Sequence, residues 1–372
     1  MARAQNKPQS NDRLYVADPL ADAFIQHQVR IQGLTATEVK KFAPFLKDID
    51  ADIRKRLSGD ELTDFSKRRL QRLLTALDGS LADVFDEYKG VLAKDLQDFG
   101  QHEAGFTAGT MEAHIEGVDF DVPSASQIRA AIKTRPLSVR GPDGGKVLDS
   151  LIDDWTTKER NAVTNVIRRG VVEGQSNADI VRAIRGTKAK QYSDGILSTT
   201  DRNARAVVHT AVQHVSSTAR QETFEANKDV VKGAKWVATL DKHTCPVCRS
   251  LDGQVYGIDA GPRPPIHLQD RCTTVPVLDD EFAKYSKGAW RPAVANGKAT
   301  QVDASETYYA WLQRQSAAFQ DEVLGPVRGK LFRDGGLSAK RFAELQLDRN
   351  FKPLTLDEMR KIESAAFKRA GI

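Results

Sequence analysis

Three cysteines and one histidine carry the most legible chemistry in this chain. Cys245 and Cys248 form a Cys-x-x-Cys pair within Asp241-Lys-His-Thr-Cys245-Pro-Val-Cys248. Pro264-Pro-Ile-His267-Leu-Gln-Asp270-Arg-Cys272 follows after a spacer. Zinc prefers four tetrahedral ligands drawn from thiolate and imidazole. Cys245, Cys248, His267 and Cys272 make that set, with Asp270 as a carboxylate substitute for one member. Two residues between Cys245 and Cys248 let both sulfurs face one ion in a tight turn. The His-x4-Cys pair, on a separate strand and loop, would close the site. Four protein ligands leave no open position, so a zinc here would be structural and would hold a β module too short for its own core. Two other readings use the same residues. Three reduced cysteines beside a structural histidine need no metal, and a redox Cys-x-x-Cys needs a thioredoxin-like βαβ context that this sequence lacks.

The second set of candidates is electrostatic. Arg54-Lys55-Arg56, Lys67-Arg68-Arg69 with Arg72, and Arg168-Arg169 could contact phosphates, which attract clustered cations whatever the base sequence. Each cluster alone also fits a solvated helix face. The 372 residues hold 55 Lys and Arg against 50 Asp and Glu, a formal charge of +5. The pI near 8.9 falls short of a dedicated nucleic-acid binder. The balance is uneven: +4 over residues 1–72, −8 over 73–120, +4 over 121–280 and +5 over 281–372. The acidic belt reads as a solvated helical face or as a surface that meets a basic partner.

The elements that must position these groups are mostly helices. Val39, Phe42, Phe45, Leu46, Ile49, Ile53 and Leu57 recur at three- and four-residue steps, with Pro44 marking a kink or a boundary. The same pattern runs over Leu62–Leu77, stops at Asp78-Gly79, and resumes over Leu81–Phe99. Further helices are expected over Val147–Trp155, Lys158–Glu173, Asn177–Arg185 and about Asp201–Ala226. Ser176-Asn-Ala-Asp179 resembles a capping box. Lys235–Leu240 alternates like a strand, with Gln254–Tyr256 as its partner and Thr273–Leu278 as a second extended run. Helices return around Glu306–Glu322, Ser338–Leu347 and Leu356–Ala370.

The expected fold class is therefore mainly α with a small β module, an α+β chain with a short zinc-knuckle-like insertion. The expected divisions are a helical N-terminal arm at 1–120, a central domain at 121–280 with its β module at 235–278, a linker at 281–304 and a helical tail at 305–372. Trp236 reads as core. Trp155, Trp290 and Trp311 anchor helix packing or a partner contact.

Other classes are excluded. No stretch approaches 18 uncharged apolar residues, so no ordinary membrane-spanning helix is expected. Met1–Asp12 is polar and reads as a loose arm, not a signal peptide. Three cysteines, an odd number, argue against a disulfide scaffold and for a reducing compartment. Gly141–Lys146 has one residue too few for a phosphate-binding P-loop, and Val147 stands where Ser or Thr is required.

The run Trp236-Val-Ala-Thr-Leu-Asp241-x3-Cys245-Pro-x-Cys248-x2-Leu-Asp-Gly253-Gln-Val-Tyr256, followed by Pro264-Pro265-Ile-His267 and Arg271-Cys272, resembles the phage head morphogenesis family. These are the Mu F-like minor head proteins of tailed bacteriophages. The likeness covers about Leu137 to Leu278, including Gly174-Gln-Ser-Asn-Ala-Asp-Ile180 and the helix near Arg205–Asn227. Thr307-Tyr-Tyr-Ala-Trp-Leu312 and Gly325-Pro-Val-Arg-Gly-Lys-Leu-Phe332 also resemble phage minor head sequences. Family members often carry Cys-Arg-Cys after the histidine, where this chain has Asp270-Arg271-Cys272. They often carry Arg-Thr-Glu on the preceding helix, where this chain has His209-Thr210-Ala211.

The resemblance implies a structural, non-catalytic role in few copies per particle. It implies contact with the portal protein or the major capsid protein, and help with head assembly, DNA packaging or DNA ejection. The expected location is the virion head, and the host cytoplasm during assembly. Double-stranded phage DNA is an expected partner. Membranes and small-molecule substrates are not. The alternative within the same fold is a DNA-binding core protein ejected with the genome. Enzyme readings fare less well. A His-Asn-His nuclease would have only Asp241 and His243 as a local pair. An ADP-ribosyltransferase, a domain sometimes fused to this family, would need an Arg…Ser-Thr-Ser…Glu arrangement that is not evident here. A Cys–His hydrolase would lack a group to orient His267.

Overall fold

The computed structural model describes residues 19–282 and 290–372. The expected loose arm Met1–Asp12 and residues 283–289 of the expected linker lie outside them. Helices α1 (Pro19–Lys40) and α2 (Phe42–Arg56) meet at Lys41. Pro44 thus sits in the first turn of α2, where its missing N–H has no intrahelical acceptor to lose. Helix α3 (Lys67–His114) is continuous for 48 residues, about 72 Å at the standard rise. The expected stop at Asp78-Gly79 does not occur. The buried stripe Leu74, Leu77, Leu81, Phe85, Tyr88, Leu92 and Leu96 stays in step across it. Gly79 faces open space, so it costs only about 1 kcal/mol of helix propensity. The expected helical residues 62–64 form a 3-10 turn instead, and Ser66 caps α3 by accepting the Arg69 N–H.

Helix α4 (Ala125–Thr134) was not expected, although Ser124 and Gln127 complete a capping box at its start. The two expected segments around residue 157 merge into α5 (Leu148–Val172). Helix α6 (Asn177–Arg185) starts at the Ser176 cap as expected, and α7 (Ile196–Ala226) runs through the middle of the helical body. Phe42, Phe85, Tyr88 and Trp155 form one aromatic cluster, with Phe42 and Trp155 centroids 5.5 Å apart. One apolar core reaches from Ile31 on α1 to Ala219 on α7, so residues on both sides of position 120 share it. Gly100 permits a close approach there: a Cβ would fall 2.7 Å from Ile132 Cδ1.

A buried ionic cluster ties this body to the β module. Glu103 of α3 accepts from Arg220 of α7 at 2.9 Å and meets His27 Nε2 at 2.9 Å. Against the cost of burial, His27 and Arg220 hold its carboxyl below the usual range. Arg220 also donates to Thr273 Oγ1 and to the Thr274 carbonyl.

Those threonines belong to a three-stranded antiparallel sheet. It consists of β1 (Val231–Val237), β2 (Val255–Gly257) and β3 (Thr273–Leu278), in the order β2-β1-β3. Helix α8 (Pro246–Leu251) lies between β1 and β2. The module has its own small core of Trp236, Ala238, Val247, Cys248, Leu251, Ile266 and Cys272. The fold class is thus mainly α with a small β module, as the periodicity implies.

The linker expected at 281–304 is corrected. Strands β4 (Trp290–Ala295) and β5 (Lys298–Asp303) form a hairpin. Its Asn296-Gly297 turn takes positive φ at both residues, 52° and 73°, which matches the twist of a two-residue hairpin. Arg291 of β4 is buried against Asp252 at 3.0 Å and donates to the Ala238 carbonyl. The final segment is a packed lobe and not a trailing tail. Its helices are α9 (Tyr308–Gln313), α10 (Ala317–Leu324), α11 (Pro326–Asp334), α12 (Ala339–Glu344), α13 (Leu356–Ile362) and α14 (Ser364–Ala370). Tyr308, Tyr309, Trp311, Phe332, Phe342 and Phe367 face one another there, and Leu240 and Ala293 enter the same core. Among the described residues, no helix is long and apolar enough to cross a membrane.

Removing one member of a buried ion pair strands the other, at a cost of about 3–5 kcal/mol. Glu103→Ala is therefore expected to lower the unfolding free energy by roughly that amount in urea titrations. A loss below about 1 kcal/mol would show that Arg220 does not depend on it.

Candidate metal centre

Cys245 is the N-cap of α8, and its sulfur accepts the Cys248 N–H at 3.3 Å. Pro246 follows at the first helical position, where its fixed φ suits the turn. That places Cys245 and Cys248 on one side of the first turn. His267 approaches from the loop after residue 264. Its Nδ1–H donates to the Leu268 carbonyl at 2.8 Å, which turns Nε2 toward the cysteines. Nε2 lies 3.4 Å from Cys248 Sγ. A sulfur and a nitrogen on one tetrahedral zinc ion stand roughly 3.6 Å apart, so this edge fits.

One ligand atom each of Cys245, Cys248 and His267 lies within 4.8 Å of the others, and so it is for Cys248, Asp270 and Cys272. Cys248 belongs to both groups and joins them. The five residues that the sequence nominates therefore converge. They line one cavity of about 30 Å³ with Thr239, His243, Thr244, Gln269 and Arg271. That is room for an ion or a water, far below the several hundred Å³ of a substrate pocket.

Asp270, a member of the second group, also has a backbone role. It is fully buried, and its two oxygens accept the Ile266 and Cys272 N–H groups, both at 2.9 Å. It spans the loop that carries His267 and Cys272, and so sets their separation. Its Oδ1 also lies 3.8 Å from Cys248 Sγ.

Two residues that the sequence reading passed over hold the loops together. Arg271 donates to both oxygens of Asp241, at 2.6 and 2.9 Å, and clamps the histidine loop to the turn before Cys245. Asp252 accepts from Ala238 N–H, Tyr308 N–H and Arg291, joining the module to the hairpin and the last lobe. Both aspartates stand in the sequence run that carries the family likeness, which was the available signal. Helix α7 completes the frame: Thr210 Oγ1 accepts the Gln269 N–H, and Gln213 donates to the Cys272 carbonyl.

The protonation states are divided. Hydrogen bonding from Cys248, with His267 adding to it, draws the Cys245 thiol down to about 4. Against burial, the bond to Cys245 raises His267 to about 9. Cys245 itself, then Cys272 and burial, push Cys248 well above the ordinary thiol range. Burial pushes Cys272 up to about 12. The free sulfurs thus cannot all ionise together, whereas a divalent cation stabilises several thiolates at once.

The nuclease pair does not form. Asp241 accepts the backbone N–H of His243 and of Thr244, and the His243 side chain is exposed. Among the described residues, the clusters of three or more ligand groups are the two that share Cys248.

The basic candidates lie far along the chain from this centre. Arg54 pairs with Asp50, Arg56 with Asp52 and Arg69 with Asp60. Lys55, Lys67, Arg68, Arg72, Arg168 and Arg169 are exposed.

Residues 161–275 match the family described as phage Mu protein F like protein. This matching segment contains every ligand candidate. The chain is also 26% identical over 258 residues to the NAD(+)–arginine ADP-ribosyltransferase EFV of Enterococcus faecalis, covering 61% of this chain and 49% of that protein. It thus spans about half the length of the curated relative it matches. Comparison with the solved structures finds no match.

Asp270→Asn replaces one acceptor oxygen with a donor, which leaves a buried N–H without a partner. The expected loss is about 1–3 kcal/mol in urea unfolding. A change within about 0.5 kcal/mol, the range of an indifferent surface substitution, would show that the loop does not rest on this carboxylate.

Proposed function

We propose that this protein is a minor head protein of a tailed bacteriophage, a structural component without catalytic turnover. Its β module is cross-linked by one zinc ion held by Cys245, Cys248, His267 and Cys272. The ion would supply two positive charges and four coordinate bonds to loops that have little core of their own. The protein would sit at the portal vertex or on the inner capsid wall, in the virion head, and assist assembly, DNA packaging or ejection.

One observation carries this reading: two groups of three donors that share Cys248 lie inside the segment that matches the head family. A cavity of about 30 Å³ between the donors supports a structural site over a catalytic one. The ADP-ribosyltransferase likeness leaves half of that relative unmatched.

The test is particle composition. Cys245→Ser and His267→Ala should each reduce the copies of this protein in purified heads several-fold, with more proteolysis of the unassembled chain. The conservative pair Lys298→Gln and Lys361→Gln should leave incorporation unchanged. Normal stability and normal incorporation of both ligand variants would overturn the zinc role. NAD-dependent modification by the purified wild type would overturn the non-catalytic reading.

A further inference from the structure

A second group of buried polar atoms stands outside the cysteine cluster, where the β module meets the last lobe. Arg249 of α8, Tyr309 of α9 and Arg328 of α11 line one cavity of about 90 Å³ there. Pro246, Val323, Leu324 and Pro353 supply its apolar walls. Arg249 is 6% exposed and Tyr309 1% exposed. The Nη atoms of both arginines reach backbone carbonyls. Arg249 donates through Nη1 to Val323 at 2.8 Å and through Nη2 to Lys242 at 3.3 Å. Arg328 donates through Nη2 to Leu354 at 2.6 Å. These bonds fix where the two side chains lie. What they leave over is inside: the Nε–H of Arg249, the Nε–H of Arg328 and the Tyr309 hydroxyl are buried with no hydrogen-bond partner.

Charge gives the cavity its sign. Among the described residues the hydrogen bonds of both arginines go to neutral carbonyls, and neither has a carboxylate partner. Helices α8 and α9 carry no acidic residue. The acids of α10, α11 and α12 are engaged elsewhere: Asp321 with Arg333, Glu322 with Lys242, Asp334 with Lys330 and Glu344 with Arg341. Asp348, in the turn before Pro353, accepts the Asn350 and Lys352 N–H groups. The Tyr308 ring, 5.4 Å from the Arg249 guanidinium carbon, offsets only part of one charge. An exposed lysine without a carboxylate is solvated by water. A guanidinium held between apolar walls is not, and its orphaned N–H is costly unless an acceptor enters.

We infer that this cavity binds one small tetrahedral oxyanion, inorganic phosphate or sulfate. Its oxygens would accept the Nε–H of Arg249, the Nε–H of Arg328 and the Tyr309 hydroxyl. Two cationic donors and one neutral donor around a single space require an anionic acceptor, and guanidinium groups bind oxyanions strongly. The donors come from three helices, and a tetrahedral ion turns a separate oxygen toward each of them. Size sets the upper limit. About 90 Å³ exceeds the roughly 30 Å³ between the cysteines but falls far below the several hundred Å³ that a nucleotide or peptide fills. The ion joins α8 of the β module to α9 and α11 of the last lobe, and it uses none of the cysteines. The inference is independent of the head-protein reading.

The experiment is equilibrium dialysis of the full chain, first exchanged exhaustively into chloride, against radiolabelled inorganic phosphate. Thermal melting in phosphate, sulfate, acetate and chloride at one ionic strength accompanies it. Wild type should bind about one phosphate per chain, displaced by sulfate, and melt several degrees higher in either ion than in chloride, because an ion that binds only the folded state stabilises it. Tyr309→Phe removes a hydroxyl that has no partner in the chain and keeps the ring. Its melting in chloride should match wild type, and its phosphate affinity should fall about threefold to tenfold. Arg328→Gln should lower the affinity about tenfold or more. Arg249→Gln would also break the bonds to Val323 and Lys242, so the test does not rest on it. The control Arg168→Gln/Arg169→Gln removes exposed charges from α5 and should bind phosphate like wild type. No saturable phosphate binding by wild type, unchanged affinity in Tyr309→Phe and Arg328→Gln, or an equal loss in the control would overturn the inference. Competition by acetate as strong as that by sulfate would assign the cavity to a planar carboxylate and overturn it too.

Discussion

Three thiols and an imidazole packed beside a buried carboxylate have no balance of charge of their own. The hydrogen bond between Cys248 and Cys245 draws Cys245 down and pushes Cys248 up, while burial pushes Cys272 up. The loops that bring these groups together contain almost no regular structure besides the six-residue α8. Their common core is seven residues deep in a chain of 372. A cation at their centre, as proposed, would resolve both problems by neutralising the sulfurs and closing the loops. The remainder of the module follows from that constraint.

The frame around the cluster is unusually polar for a protein interior. Asp270 spans one loop, the Arg271–Asp241 pair joins two loops, and Asp252 joins the module to the hairpin and the last lobe. Helix α7 backs the cluster with Thr210 and Gln213, and two turns further along Arg220 reaches the sheet. Arg220, Arg271 and Arg291 each pair with a carboxylate on a different element, so these polar groups fix relative positions where apolar packing alone would allow sliding. Helical body, module and last lobe therefore act on one another through side chains within a few residues of the ligands.

Much of this is legible in the sequence, for identifiable reasons. The Cys-x-x-Cys and His-x4-Cys spacings are local and survive any fold, and all their members converge. Apart from α4, the long helices of the first 230 residues are legible because their apolar stripes keep the 3.6 period. Their lengths are not, since Asp78-Gly79 looks like a stop but lies on a solvent face where glycine is cheap. The hairpin after residue 289 had a signal in Asn296-Gly297, hidden by a polar and charged surround. Other features had none. Nothing in the neighbourhood of Arg291 or Glu103 announces a buried partner 39 or 117 residues away. Asp270 shows how a nominated residue can carry a second role: it stands among the candidate ligands, and its oxygens also accept backbone N–H groups.

The central claim is that one metal ion organises the module, and metal content of the purified chain by mass spectrometry tests it most directly. Wild type, and the double variant Cys245→Ser/Cys248→Ser, would be measured after dialysis against metal-free buffer. The account predicts about one zinc per chain in wild type and none in the variant. A folded wild-type protein without stoichiometric metal would contradict it, and the cysteines would then be packing residues in a module that stands without an ion.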